Sequence, residues 1–183
     1  MRRSIYACML IAILSSAAAA QTERRELGPH VHGSGTLNIV IEGNNVSMDL
    51  SAPANDILGF EHQPSTPEQE KILASAKAAL AQPLTLIELP VAAGCKVETA
   101  NVTFNAAEPA ATAAPAKPAG ESQHADFDVD YALTCAAPDK ITQLSFAYFK
   151  QFAGAQKLAV TIVSDKGQTQ YEVTRDKPVL TLK

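Results

Sequence analysis

Thr36-Leu37-Asn38-Ile39-Val40-Ile41-Glu42-Gly43-Asn44-Asn45-Val46-Ser47-Met48-Asp49-Leu50 decides the fold class. Leu37, Ile39 and Ile41 share one parity, and Thr36 and Asn38 the other. Val46, Met48 and Leu50 alternate in the same way. A period of two sends successive side chains to opposite faces of a strand. Between the two runs stand Gly43, Asn44 and Asn45, residues that tolerate positive φ. The stretch therefore predicts a β-hairpin with one buried and one polar face.

The same pattern recurs toward the C-terminus. Phe127, Val129, Tyr131, Leu133 and Cys135 have one parity, while His124, Asp126, Asp128 and Asp130 have the other. Residues 84–89, 96–104, 144–149, 157–163, 169–173 and 179–182 read as further strands, with Asp165-Lys166-Gly167 as a tight turn. Residues 51–66, with Pro53, Gly59 and Pro64, read as irregular. One helix is expected. Thr66 can cap it, Pro67 suits its first position, and Gln69 or Glu70 can complete a capping box. Ile72, Leu73, Ala76, Ala79 and Leu80 follow at helical spacing, and Pro83 ends it. The prediction is a mainly β (α+β) fold: an antiparallel β-sandwich or curved sheet with one packed helix. Residues 105–122 shift to Ala and Pro, a composition that cannot bury enough apolar surface to offset ordering entropy. They read as a flexible loop between two strands.

The N-terminus has a basic start at Arg2 and Arg3, a short apolar run and then Ala18-Ala19-Ala20. That is the pattern of a signal peptide over residues 1–20, with cleavage before Gln21. The run is shorter than the ~20 residues that span a bilayer. Cys8 lies inside it, where a lipidated cysteine would not. Residues 21–183 then form one domain and a periplasmic location is expected. Loss of Arg2 and Arg3 leaves 13 Lys and Arg against 19 Asp and Glu, a net charge of −6 with histidine neutral. No basic stripe exists, so nucleic acid is not an expected partner. Cys95 and Cys135 remain, and two cysteines in an exported chain read as one disulfide. The competing reading, a pair of metal thiolates, is disfavoured by an oxidising compartment.

The chain has four histidines: His30, His32, His62 and His124. If residues 30–32 are extended, His30 and His32 face the same way, about 7 Å apart along the chain. Two such imidazoles can share one tetrahedral zinc ion, which takes imidazole nitrogen at about 2.0–2.1 Å and carboxylate oxygen as a supplement. His124-x-Asp126 repeats that geometry, and Glu61-His62 lies in a loop. The candidate ligands are His30, His32, His62 and His124, with Asp126 or Glu61 supplying oxygen. Each histidine could equally be a solvated surface residue. Imidazole must be neutral to ligate, so binding should weaken as pH falls through about 6.

Enzymatic patterns are poorly represented. No phosphate-binding Gly-rich loop and no His-Glu-x-x-His helix appear. Gly33-Ser34-Gly35 lacks the spacing of a nucleophile elbow, and the cysteines lack Cys-x-x-Cys spacing. A cupin-type metal enzyme also uses His-x-His on a β-scaffold, but with a glutamate a few residues on; here the next acid is Glu42. The chain is therefore read as no enzyme. A metal-dependent β-scaffold enzyme and an envelope interaction module without a metal site are the alternatives.

Several motifs together resemble the ZrgA-like family of bacterial periplasmic proteins. They are His30-Val31-His32-Gly33, Gly59-Phe60-Glu61-His62-Gln63-Pro64, Ala93-Gly94-Cys95, Tyr131-x-x-x-Cys135, Phe149-x-x-Phe152 and Gly167-Gln168. The resemblance runs from about Leu27 to Lys183. It implies a zinc-binding accessory protein working with a zinc ABC importer and its solute-binding protein. It carries the ligand role to His30, His32, Glu61, His62 and His124. Family members often have a histidine- and aspartate-rich tract where this chain has residues 105–122. Without that tract, one or two sites on the folded body are expected rather than a zinc reservoir.

Overall fold

The structure, a computed structural model, describes residues 31–106 and 125–182. The expected signal peptide, His30, His124 and most of the Ala/Pro-rich loop lie outside the described residues.

The hairpin forms as its alternation requires. β1 (Ser34–Glu42) and β2 (Asn45–Pro53) pair antiparallel with Glu42 opposite Asn45, leaving Gly43-Asn44 as the turn. Gly43 has φ 54°, a left-handed value that glycine adopts without steric cost. α1 (Ala54–Leu58) follows directly, and then α2 (Pro67–Leu80). Thr66 caps α2, its Oγ1 accepting the Gln69 N–H at 3.2 Å. The reciprocal half of the expected box goes elsewhere: Gln69 Oε1 accepts from the N–H and hydroxyl of Ser65. The remaining elements are α3 (Pro83–Leu86), β3 (Ile87–Glu88), β4 (Cys95–Asn105), β5 (Asp126–Cys135), β6 (Gln143–Phe146), α4 (Tyr148–Gln151), β7 (Lys157–Ser164), β8 (Gly167–Thr174) and β9 (Val179–Thr181).

Six strands form one sheet in the order β4-β5-β2-β1-β7-β8, and three form a second in the order β3-β6-β9. The mainly β architecture is as expected. Pairing is antiparallel except between β1 and β7, which run parallel from Ser34–Lys157 to Val40–Val163. Local turns could not have announced that pair, because it joins segments remote in sequence. The expectation of a single helix needs correction. Of the strand expected over 84–89, Ile87–Glu88 form β3, while residues 84–86 belong to a helical turn that Pro83 starts; Thr85 N–H and Oγ1–H both bond Gln82 O. Short apolar runs fit either period, so this ambiguity is intrinsic. Likewise α1 occupies part of the stretch read as irregular, and the strand expected over 144–149 stops at Phe146 before α4.

One core joins the layers. Leu37, Met48, Leu50, Phe127, Leu133 and Leu158 of the large sheet are fully or almost fully buried. Leu80, Ile87, Leu144, Phe146, Tyr148 and Phe149 of the facing layer belong to the same cluster. Tyr131, also buried, donates its hydroxyl to Leu80 O at 2.8 Å and so ties the sheet to the end of α2. Cys95 and Cys135 stand opposite each other in the β4–β5 ladder and are joined by a disulfide. No described helix is long and apolar enough to cross a membrane.

Candidate metal centre

Strand order and direction bring the described candidates His32 and Asp126 to one end of the large sheet. β1 starts there, β2 ends there, and Pro53, Asp126 and Asn105 stand abreast on β2, β5 and β4. Ala54 N–H bonds Ala125 O at 2.8 Å, which fixes the entry to β5 against the start of α1. Val31 and Ala125, the chain neighbours of His30 and His124, both belong to this end.

His32 is held in a turn. Ser34 N–H bonds Val31 O at 3.0 Å, and Gly33 has φ 80°. Positive φ at the third position of such a turn calls for glycine. The expected same-face pairing of His32 with His30 lies outside the described residues, because His30 does. Gly33 is fixed on both sides. Its oxygen accepts from Gln156 N–H at 2.9 Å and Lys157 N–H at 2.8 Å. Its N–H donates to Asp56 Oδ1 at 2.8 Å.

Glu61 reaches the same place by another route. α1 closes at Gly59, whose N–H bonds Asn55 O at 2.9 Å, and the chain turns back through Phe60. The result is direct contact between His32 Nε2 and Glu61 Oε1. The side chains are 53% and 23% exposed, so the pair opens to solvent. An imidazole nitrogen and a carboxylate oxygen converging on one point are donor types that zinc accepts. His62, next in sequence, stacks on Phe60 with ring centroids 5.2 Å apart. Its Nδ1–H donates to Gln63 O at 2.8 Å. In the neutral ring that leaves the lone pair on Nε2, the arrangement common in metal-bound histidine.

Asp126 departs from its expected solvent-facing place. It is buried at the first rung of β5 between Pro53 and Asn105. Alternation assigned it to the polar face correctly but could not tell that this end of the face is covered. Of the two candidate oxygen donors, Glu61 stands on the described His32. Among the described residues, no group of three or more His, Cys, Asp or Glu side chains is placed to hold a metal ion.

Asp56 was not among the sequence candidates. It is 3% exposed, inside the turn that carries α1. Burial pushes its carboxyl above the ordinary 3.8; the Gly33 N–H and His32 pull the other way, and Glu61 adds to the rise. Its only mark in the sequence is a single acid between Ala54 and Ile57-Leu58. Behind it lies the segment leading to β7, held by Arg175. That guanidinium donates to the carbonyls of Phe149, Phe152, Ala153 and Ala155.

A crevice of about 560 Å³ lies at the opposite end of the sheet, where Ile41, Gly43, Ile141, Ile162, Tyr171 and Leu182 line it. None of the described candidate ligands borders it. In comparison with known proteins, the family model described as ZrgA family zinc uptake protein matches residues 29–182. No curated protein matches the chain.

Proposed function

The chain belongs to the ZrgA family of zinc uptake proteins, and from that premise we propose a periplasmic zinc-binding accessory protein or chaperone. It acts without catalysing a reaction and passes zinc to an ABC importer through that importer's solute-binding protein. The observation that carries the reading is the solvent-open contact of His32 with Glu61 at the end of the sheet where β1 and β5 begin. Zinc is held between His32 and Glu61, and one imidazole from His30 or His124 adds a third ligand, which leaves the fourth position of a tetrahedral ion open. Glu61 supplies the oxygen donor of this pair. A site made of exposed donors on turns suits an ion that must be released again, since an open or water-completed position gives the receiving protein access.

Zinc titration by calorimetry tests this, comparing the chain from Gln21 onward with its His30→Ala/His32→Ala variant. The variant is expected to lose at least tenfold in affinity. Bound zinc should also raise stability by about 2.7 kcal/mol at a hundredfold excess over Kd. Equal affinity in both proteins would refute the site. Absence of any zinc-dependent stabilisation would favour an envelope interaction module.

A further inference from the structure

We propose that Asp56 is a positioning residue that fixes the His32 limb of the zinc site through the Gly33 amide. This rests on His32 being a zinc ligand.

The Gly33 nitrogen belongs to the peptide plane that begins at the His32 carbonyl carbon. A hydrogen bond to it therefore sets the orientation of that plane, and with it the backbone from which the His32 ring projects. Asp56 Oδ1 makes this bond at 2.8 Å from a buried position. The next peptide plane, ending in Gly33 O, is fixed independently by Gln156 and Lys157. The turn is thus clamped on both sides of Gly33. Asp56 in turn has no room to retreat. A Cβ on Gly154 would stand 2.6 Å from Asp56 Cα and 2.7 Å from Asp56 O, so the two backbones touch. Gly154 belongs to the segment whose carbonyls Arg175 holds.

Burying a carboxylate is costly, and satisfying one backbone amide near the surface does not demand it, because water would serve. What a buried acceptor adds is rigidity. A ligand already held in its binding geometry loses less freedom when the metal arrives. Groups that orient metal ligands from behind commonly contribute 10–100-fold to affinity. The role requires an acceptor oxygen at Oδ1 and not a charge, which separates it from direct ligation.

The test measures zinc affinity, zinc-free melting temperature and the cobalt absorption spectrum for Asp56→Ala, Asp56→Asn and His32→Ala. Asp56→Ala is expected to bind zinc at least tenfold more weakly. Asp56→Asn keeps the acceptor and should stay within about threefold of the parent, with an unchanged cobalt spectrum. A loss in Asp56→Asn equal to that in Asp56→Ala would overturn the proposal in favour of a charge or ligand role. Full affinity in Asp56→Ala, with His32→Ala impaired, would overturn it while leaving the zinc site standing. Full affinity in His32→Ala would instead remove the site itself. The parent protein supplies a measurement that needs no variant to fold. The Gly33 amide should be rigid before zinc is added, with an order parameter of about 0.85. A mobile Gly33 amide in the zinc-free protein would overturn the proposal.

Discussion

Replacing both Cys95 and Cys135 by alanine should lower the stability of the fold by about 4 kcal/mol and leave zinc binding unchanged. The two cysteines are 40 residues apart in sequence and face each other across the β4–β5 ladder. In the chain-entropy model, releasing a loop of that size returns about 13 cal/mol/K to the unfolded chain, or ~4 kcal/mol at 25 °C. For a domain of this size that lowers the melting temperature by roughly 8–16 °C. Urea unfolding gives a second signature. The freed denatured chain exposes more surface, so the slope m should rise while the midpoint falls. Geometry decides the zinc result. The ten residues of β5 separate Asp126, at the histidine end, from Cys135 by about 30 Å. Zinc affinity of the double variant should therefore stay within about twofold of the parent, since no contact with the histidine end is lost. A stability loss below about 1 kcal/mol would refute the entropic reasoning. A tenfold change in zinc affinity would refute the spatial separation and bring back thiolate ligation.

Three further outcomes follow from buried and half-buried groups. Burial holds the Asp56 carboxyl above 3.8, so its contribution is full below that pH and is lost as pH rises through the native value. Asp56→Asn lacks this loss, and in urea melts of zinc-free protein its stability should gain on the parent as pH rises from about 3.8; parallel pH curves would contradict the assignment. Burial also keeps the Tyr131 and Tyr148 phenols protonated well above their ordinary range. Above pH ~10 only the unfolded chain releases these protons, so stability should fall by about 1.4 kcal/mol per pH unit for each tyrosine. Tyr131→Phe should halve that alkaline slope in chemical denaturation, and an unchanged slope would count against it. Arg175→Ala strips a charged donor from the carbonyls of Phe149, Phe152, Ala153 and Ala155. It should cost about 3 kcal/mol by thermal unfolding, with Arg175→Lys recovering less than half because an ammonium lacks the planar fork. Full stability in Arg175→Lys would show that charge alone suffices.

The residues differ in how openly the sequence displayed their roles. β1, β2 and β5 were legible because alternation and the Gly43 turn are local properties. The parallel β1–β7 pair was hidden, since its partners are remote and no turn connects them. The helical turn over residues 84–86 was not legible because Leu84 and Leu86 fit both periods over so short a run. At the candidate centre, imidazole and carboxylate chemistry singled out His32, Glu61 and His62. Their arrangement was not legible: His32 sits in a turn set by Gly33, and Asp126 is covered at the sheet end. Asp56 escaped notice because its role depends on an amide 23 residues away and on the close approach of Gly154.

The central claim is that zinc is held at His32 and Glu61. The most direct measurement is nitrogen-15 NMR of the histidine rings of the chain from Gln21 onward as zinc is added at neutral pH. The His32 ring signals should move or broaden with the first zinc bound, with weaker binding in Glu61→Gln. His32 signals that stay unchanged while zinc saturates the protein would contradict it.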